Sequence, residues 1–528
     1  MLRGLLPLMG LALTACHLVA GLDDYTKGTA SAATTGSGGD GDGGATTSTS
    51  SGNGGSGGVG GQAPVDPILW QSNLGAKSAN ATGPAVALGD LAIVGGIVDA
   101  PVDLPGLSGS QPTSSLPGNY FGALLTGANT AMPAVSTAFW SRDTSNGTSA
   151  TPVEITATSD GKRTWLGAVL QTVGSGGDPH SVVVHASTAT TPAESQLVST
   201  SGLTISRLAL AATPDGTKLY VAYTVYSGTF ETLRVIRNAV SPEGVVSKEV
   251  EFNLGSVTGH HHVASMVATS EAMYLATTCK GDLVDPDVLS KSENACVVAA
   301  RHTYDPMANG LEFKRRLGCN ETGTSTRALA LAASGKSVYL ALESTCAKLE
   351  TSVGVGNYAP PADGPEPKSF GIFAFDETEV LGAKADTNGF KKVSAYTSPI
   401  SRTAKSRVAM TPLATNSGGK LLVAGSFTGQ LKVGPQQLRT AKATSPQAFV
   451  LGFETTLALP APTPPLFATD GPGGARVMSL ASRDGVILLG ARRTGEVTFG
   501  NEVLPAKGLD EIDFVVAAES SLLEDSTP

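Results

Sequence analysis

Side chains able to bind metal or anions concentrate at a few places: His260-His261-His262, the acidic set Asp282, Asp285 and Asp287, and the doublets Arg315-Arg316 and Arg492-Arg493. Three consecutive histidines on a strand alternate sides and cannot all reach one ion, so solvated or packed histidines are expected. The aspartates have the oxygen chemistry of a calcium loop but lack its Gly and terminal Glu, so a solvated acidic loop is expected. Both arginine doublets are expected on exposed strand surface. Ala333-Ser334-Gly335-Lys336-Ser337 ends like a phosphate loop without its first Gly, and fits a β-turn better. No G-x-S-x-G elbow, H-E-x-x-H pair or strand-to-helix G-x-G-x-x-G is present. No catalytic residue, metal or cofactor is therefore expected, although paired carboxylates are defined by distance in space and leave acid–base chemistry open.

Composition bounds the rest. The 528 residues include 64 Gly and 31 Pro, with 15% charged and 5% aromatic residues, which excludes a coiled coil or long helical bundle. Lys plus Arg number 36 against 45 Asp plus Glu, a net charge of −9, so no nucleic-acid partner is expected. Residues 36–61 hold 13 Gly in 26 positions and cannot build a core. They read as part of a flexible tether of about 50 residues, long enough to hold a folded domain about 40 Å from its attachment point.

What it attaches to is indicated by the start of the chain. Arg3 and the apolar run from Leu5 to Thr14 have the size of a signal-peptide core, too short to span a bilayer. Leu13-Thr14-Ala15-Cys16 resembles the bacterial lipobox, and the resemblance implies that Cys16 becomes the acylated N-terminus. His17 in place of Asp favours the outer membrane in such lipoproteins. The stretch from Cys16 to Tyr25 resembles the start of myxobacterial surface lipoproteins. The implied partner is thus a lipid bilayer, and the Asn320-Glu321-Thr322 sequon is incidental in such a chain. The expected divisions are a signal peptide at 1–15, a lipidated tether at 16–65, a folded domain at 66–520 and a tail at 521–528.

The folded domain repeats. Two large apolar residues followed by Gly or Ala recur at Ile93-Val94-Gly95, Trp165-Leu166-Gly167, Tyr220-Val221-Ala222, Tyr274-Leu275-Ala276, Tyr339-Leu340-Ala341, Leu422-Val423-Ala424 and Leu488-Leu489-Gly490. The small residues lie 72, 55, 54, 65, 83 and 66 positions apart. Before each comes a tight-turn sequence such as Pro214-Asp215-Gly216 or Asp484-Gly485, and after each a third apolar segment such as Phe514-Val515-Val516. Thr213 to Ala222 resembles the strand–turn–strand signature of bacterial propellers with Tyr-Val-rich repeats. The units around Ala424 and Gly490 share Thr-Gly, Val/Phe-Gly, Leu and Phe-Val (Thr428-Gly429 to Phe449-Val450; Thr494-Gly495 to Phe514-Val515), resembling repeats of bacterial β-propeller surface proteins.

The pattern predicts an all-β, seven-bladed β-propeller of four-stranded antiparallel blades. The last unit ends within ten residues of its third strand, and residues 66–72 have no partner of their own, so an N-terminal strand is expected to close blade seven. A six-bladed propeller with a small N-terminal β unit is the alternative. Only three Trp are present, so the stacked-Trp pattern of quinoprotein propellers is missing.

Four cysteines remain in a chain expected to be exported, where thiols pair. Cys279–Cys296 and Cys319–Cys346 are the expected bridges, and with no C-x₂-C spacing a zinc site is disfavoured. The second-to-third-strand loops and blade crossings are long at 99–118, 279–295, 344–369 and 427–447, whereas the first-to-second turns are short. A non-catalytic surface for a protein, peptide or glycan is expected on the long-loop face of a monomer, the alternative being a hydrolase or lyase at the channel mouth.

Overall fold

The computed structural model describes the strands and tight turns between residues 68 and 520. Residues 1–67 and 521–528 and most of the longer connections, among them 105–118, 141–149, 280–292, 304–312, 358–368, 400–407 and 456–465, lie outside the described residues. The chain divides at residues 63/64, and the second unit holds every described strand.

Seven antiparallel sheets each supply a blade of four strands. Their inner strands are Ala85–Leu88, Ala150–Ser159, Thr204–Ala212, His262–Ala268, Thr326–Ser334, Ala409–Thr415 and Gly474–Arg483. Each inner strand packs against the next, and the seventh packs against the first, so the ring is closed. The fourth strand of blade seven is Ile68–Ala76, antiparallel to Glu511–Glu519, with Ile68 opposite Ala518 and Ala76 opposite Ile512. The expected closure is present, running to residue 76, and the six-bladed alternative is excluded.

The repeat signature is a packing rule between neighbouring blades. A Cβ on Gly95 would lie 2.6 Å from Leu166 Cδ1 of blade two, and one on Gly167 would lie 2.8 Å from Leu210 Cδ1 of blade three. Side chains of the following blade fill those places, so the third signature position stays small. Where the first position is Tyr, its hydroxyl reaches the next blade. Tyr220 Oη bonds His302 Nδ1 at 2.7 Å, Tyr274 Oη donates to Glu377 Oε1 at 3.2 Å, and Tyr339 Oη donates to the Thr455 carbonyl at 2.8 Å. His302, Glu377 and Thr455 each directly follow the third strand of their blade (Asn294–Arg301, Ser369–Asp376 and Gln447–Glu454).

A second Tyr–His contact joins blades one and two, Tyr120 Oη lying 2.5 Å from His185 Nε2. Burial pulls His185 down to about 4 and lowers His302 as well. Because the folded protein disfavours the protonated ring, the unfolded chain binds more protons below the ordinary histidine value of 6.5. Stability is therefore expected to fall as pH drops from about 6.5 towards 4, by on the order of 3 kcal/mol for His185. Urea unfolding at pH 7 and pH 4.5 measures this, and His185→Gln should flatten the slope.

Candidate functional site

The two faces of the ring are built differently. On one face lie the short turns between first and second strands and the third-to-fourth connections. In blades four to six these connections span 302–312, 377–393 and 455–465, the second of them with the helix Glu377–Gly382. Every junction on this face carries a hydrogen bond. Arg483 Nη2 donates to Asp90 Oδ1 at 2.8 Å and its Nη1 to the Gly161 carbonyl, tying blades seven, one and two. The Asp90 amide donates to the Lys162 carbonyl at 3.1 Å. Arg163 Nη1 donates to the Ser241 carbonyl at 2.9 Å, Arg237 Nη1 to the His302 carbonyl at 2.8 Å and Arg301 Nη2 to the Leu381 carbonyl at 2.9 Å. Tyr339 serves the next junction, and Ser482 Oγ donates to the Pro412 carbonyl at 2.7 Å at the last.

The opposite face carries the second-to-third-strand loops and the blade crossings. In blade seven the connection between second and third strands forms a hairpin, Val497–Phe499 and Glu502–Leu504, whose Val497, Phe499 and Leu504 bury into the core between blades six and seven. Val102 and Leu104 do the same between blades seven and one. Blade six has the equivalent hairpin, Gly429–Val433 with Gln436–Ala441. In blade five, Lys348–Thr351 and Gly354–Asn357 form a hairpin that extends the sheet of blade four, with Gly318 opposite Glu350. The shared Thr-Gly to Phe-Val pattern of the last two units is thus the sequence of a capping hairpin. Blade three is different: its second and third strands turn directly, Ser227 opposite Phe230.

Charged groups on this long-connection face are arranged in pairs. Glu154, its side chain 2% exposed, has Arg207 Nη1 at 4.0 Å. Arg327 Nε meets Glu293 Oε2 at 3.0 Å across blades four and five, and Arg476 Nη1 meets Glu511 Oε1 at 3.1 Å. Among the described residues no three His, Cys, Asp or Glu side chains gather to hold a metal. Tyr226 is the exposed aromatic of the described residues.

The Arg492-Arg493 doublet corrects the sequence expectation, since both side chains are buried. Arg492 donates to Asp513 through Nε at 2.7 Å and Nη2 at 3.2 Å, and Nη2 lies 3.3 Å from the Gly83 carbonyl of blade one. Arg493 Nη1 donates to the Gly495 carbonyl at 2.7 Å, and Nη2 donates to Asn73 Oδ1 of the closing strand at 3.3 Å. The doublet continues a second strand buried on both sides, and that position accounts for its burial.

Other expected residues fare variously. Gly335 does form a tight turn, with φ 57°, between Thr326–Ser334 and Ser337–Ser344. Cys296 and Cys346 are fully buried, on the faces of their blades that meet blades three and four respectively. Cys279, His262, Arg315 and Arg316 are described by backbone alone. Cys16, His260, His261, Asp282, Asp285, Asp287, Cys319 and 320–322 lie outside the described residues. Tyr226, Glu154 and Arg207 do not stand out in the sequence; the short turn after Ser227 is their one signal.

No protein-family model matches this chain, and no curated protein matches it in sequence. Among solved structures it is similar to a Trypanosoma rangeli sialidase in complex with the inhibitor DANA, at 8% identity and TM-score 0.35, covering 68% of this chain and 54% of that one. It is also similar to a Penicillium chrysogenum alpha-L-arabinanase complexed with arabinobiose, at 10% identity and TM-score 0.33, covering 68% and 90%. A third is the β-propeller domain of the Trilobed protease from Pyrococcus furiosus, at 8% identity and TM-score 0.28, covering 65% and 92%. The chain spans about half the length of the sialidase.

Proposed function

We propose that the protein is an extracytoplasmic lipoprotein, anchored through acylated Cys16, whose non-catalytic propeller binds a protein, peptide or glycan through its long-connection face. The observation that carries this is the division of labour between faces. On the tight-turn face all first-to-second turns are short and every blade junction carries a hydrogen bond. The other face carries the second-to-third loops and blade crossings, with the ion-paired side chains of Arg207 and Arg327 43% and 46% exposed and Tyr226 40% exposed. Entry of the chain supports it. Ile68, the first described residue, lies beside Ala518 at the tight-turn end of blade seven, the end opposite the proposed binding surface.

Two experiments test the anchor and the face. Palmitate labelling is expected in the native chain and lost in Cys16→Ala; unchanged labelling contradicts the anchor. The full chain carrying Cys16→Ala is expected to bind isolated cell envelopes, to lose binding on Arg207→Glu with Arg327→Glu, and to keep it on Val245→Glu with Lys162→Glu on the tight-turn face. The reverse pattern contradicts the face.

Bridges at Cys279–Cys296 and Cys319–Cys346 belong to the same proposal. Cys296 is paired in register with Thr277, and Cys279 is two residues further along that strand, so the two positions share one face of blade four. Cys319 follows Gly318, whose partner Glu350 is four residues from Cys346, so the second bridge would fasten the blade-five hairpin to the edge of blade four. Each is worth about 2–4 kcal/mol in an exported protein. Non-reducing peptide mapping is expected to recover these two links, and a 279–319 link contradicts them.

A further inference from the structure

We infer that the closing strand, Ile68–Ala76, is a mechanical clamp: tension between the N-terminal segment and the long-connection face acts on it in shear, along its pairing with Glu511–Glu519. This rests on the anchoring proposed through Cys16 and adds what the fold does with the pull of a bound partner.

The direction of the chain carries the inference. In blades one to six the fourth strand is reached from the third strand of its own sheet, whereas the closing strand is reached from outside the ring. A pull exerted through the N-terminal segment therefore meets the closing strand before any other strand of the ring. The pairing is antiparallel, with Ile68 beside Ala518 at the tight-turn end and Ala76 beside Ile512 at the other. A partner on the long-connection face holds the Ile512 end while the N-terminal segment draws on Ile68. The two loads then act at opposite ends of the pair, and the backbone pairing of residues 70–73 with residues 514–517 carries them together. Were both loads applied at the tight-turn end, the same pairs would open one after another from Ile68. Forced unfolding is governed by the unfolding barrier, which is higher when several pairs must break in one step.

Side chains pin the strand against sliding. Trp70 and Leu74 lie in the core between blades seven and one, and a strand drawn lengthwise must pull both out of close packing. Trp70 Nε1 donates to the Ala128 carbonyl of blade one at 3.0 Å, and Asn73 Oδ1 accepts from Arg493 Nη2 at 3.3 Å. The chain is held again before it enters blade one. The Gly83 carbonyl lies 3.3 Å from Arg492 Nη2, and the Pro84 carbonyl accepts from Ser479 Oγ at 2.7 Å. Load that passes the closing strand thus meets the seam between blades seven and one before it reaches the inner strand Ala85–Leu88.

The test is single-molecule force spectroscopy on the full chain carrying Cys16→Ala, held at its N-terminus by a peptide tag. The second handle is an azide-bearing phenylalanine placed at one of two exposed positions. One replaces Val503, on the long-connection side of blade seven; the other replaces Glu519, at the tight-turn end of the third strand. The first arrangement loads the pair from opposite ends, and the second peels it from one end. At the same loading rate, the first rupture through Val503 is expected at about twice the force through Glu519 or more. Thermal melts of both proteins should match the parent, because both positions are exposed. Equal first-rupture forces, or a lower force through Val503, overturn the inference. The forces are read on unacylated protein, so that result leaves the anchor standing. Unchanged palmitate labelling in Cys16→Ala overturns the anchor and leaves the force asymmetry standing.

Discussion

Deleting the closing strand, residues 66–76, is expected to abolish the cooperative fold. Trp70 and Leu74 of that strand are 6% and 0% exposed and belong to the core between blades seven and one. Burying two such side chains contributes about 1.5–3 kcal/mol each. Trp70 Nε1 also donates to the Ala128 carbonyl at 3.0 Å, joining blade seven to the far end of blade one. Without the strand, the backbone of Glu511–Glu519 becomes an open edge of the kind that recruits other chains. Those losses together approach the net stability of about 5–15 kcal/mol typical of a folded protein. Circular dichroism melts and size-exclusion chromatography should show a non-cooperative or aggregating chain. A synthetic peptide of residues 66–76 added in trans should recover part of the transition. A deletion that melts like the parent would show that the ring closes by some other means.

Asp513→Ala is expected to destabilise the protein by about 3–5 kcal/mol, the cost of leaving a buried guanidinium without its counter-charge. The side chains of Arg492 and Asp513 are 7% and 1% exposed, and the two residues face each other across the second and third strands of blade seven. Arg492 also reaches the Gly83 carbonyl, so the charge sits on the seam between last and first blades. Replacing both partners with apolar residues, Arg492→Met with Asp513→Leu, should recover most of the loss, because neither leaves a buried charge behind. Urea unfolding of the parent, Arg492→Met, Asp513→Leu and the double variant measures the coupling. A loss under about 1 kcal/mol for Asp513→Ala would place the pair in solvent.

The contrast between this pair and the ring itself shows what a single sequence makes legible. Blade count could be read because each unit repeats one physical constraint: Gly95 and Gly167 stay small against Leu166 and Leu210 of the following blade. Closure could be read because a missing fourth strand and an unpartnered first strand complement each other. The Arg492–Asp513 pair could not, because its partners are 21 residues apart and meet only through strand register. A doublet of arginines has the same composition whether it points to water or into a seam; its place at the end of Leu488-Leu489-Gly490-Ala491 was the one clue.

The assignment of faces, and with it the proposed function, depends on Ile68–Ala76 being an integral strand that enters from the tight-turn side. Hydrogen exchange read by mass spectrometry on the full chain tests this directly. Amides of Ile68–Ala76 should exchange as slowly as those of their partner Glu511–Glu519, while residues 36–61 exchange at the rate of a free chain, and Asp513→Ala should speed both paired strands together. Exchange of residues 68–76 at the rate of the Gly-rich segment would contradict closure by the N-terminal strand.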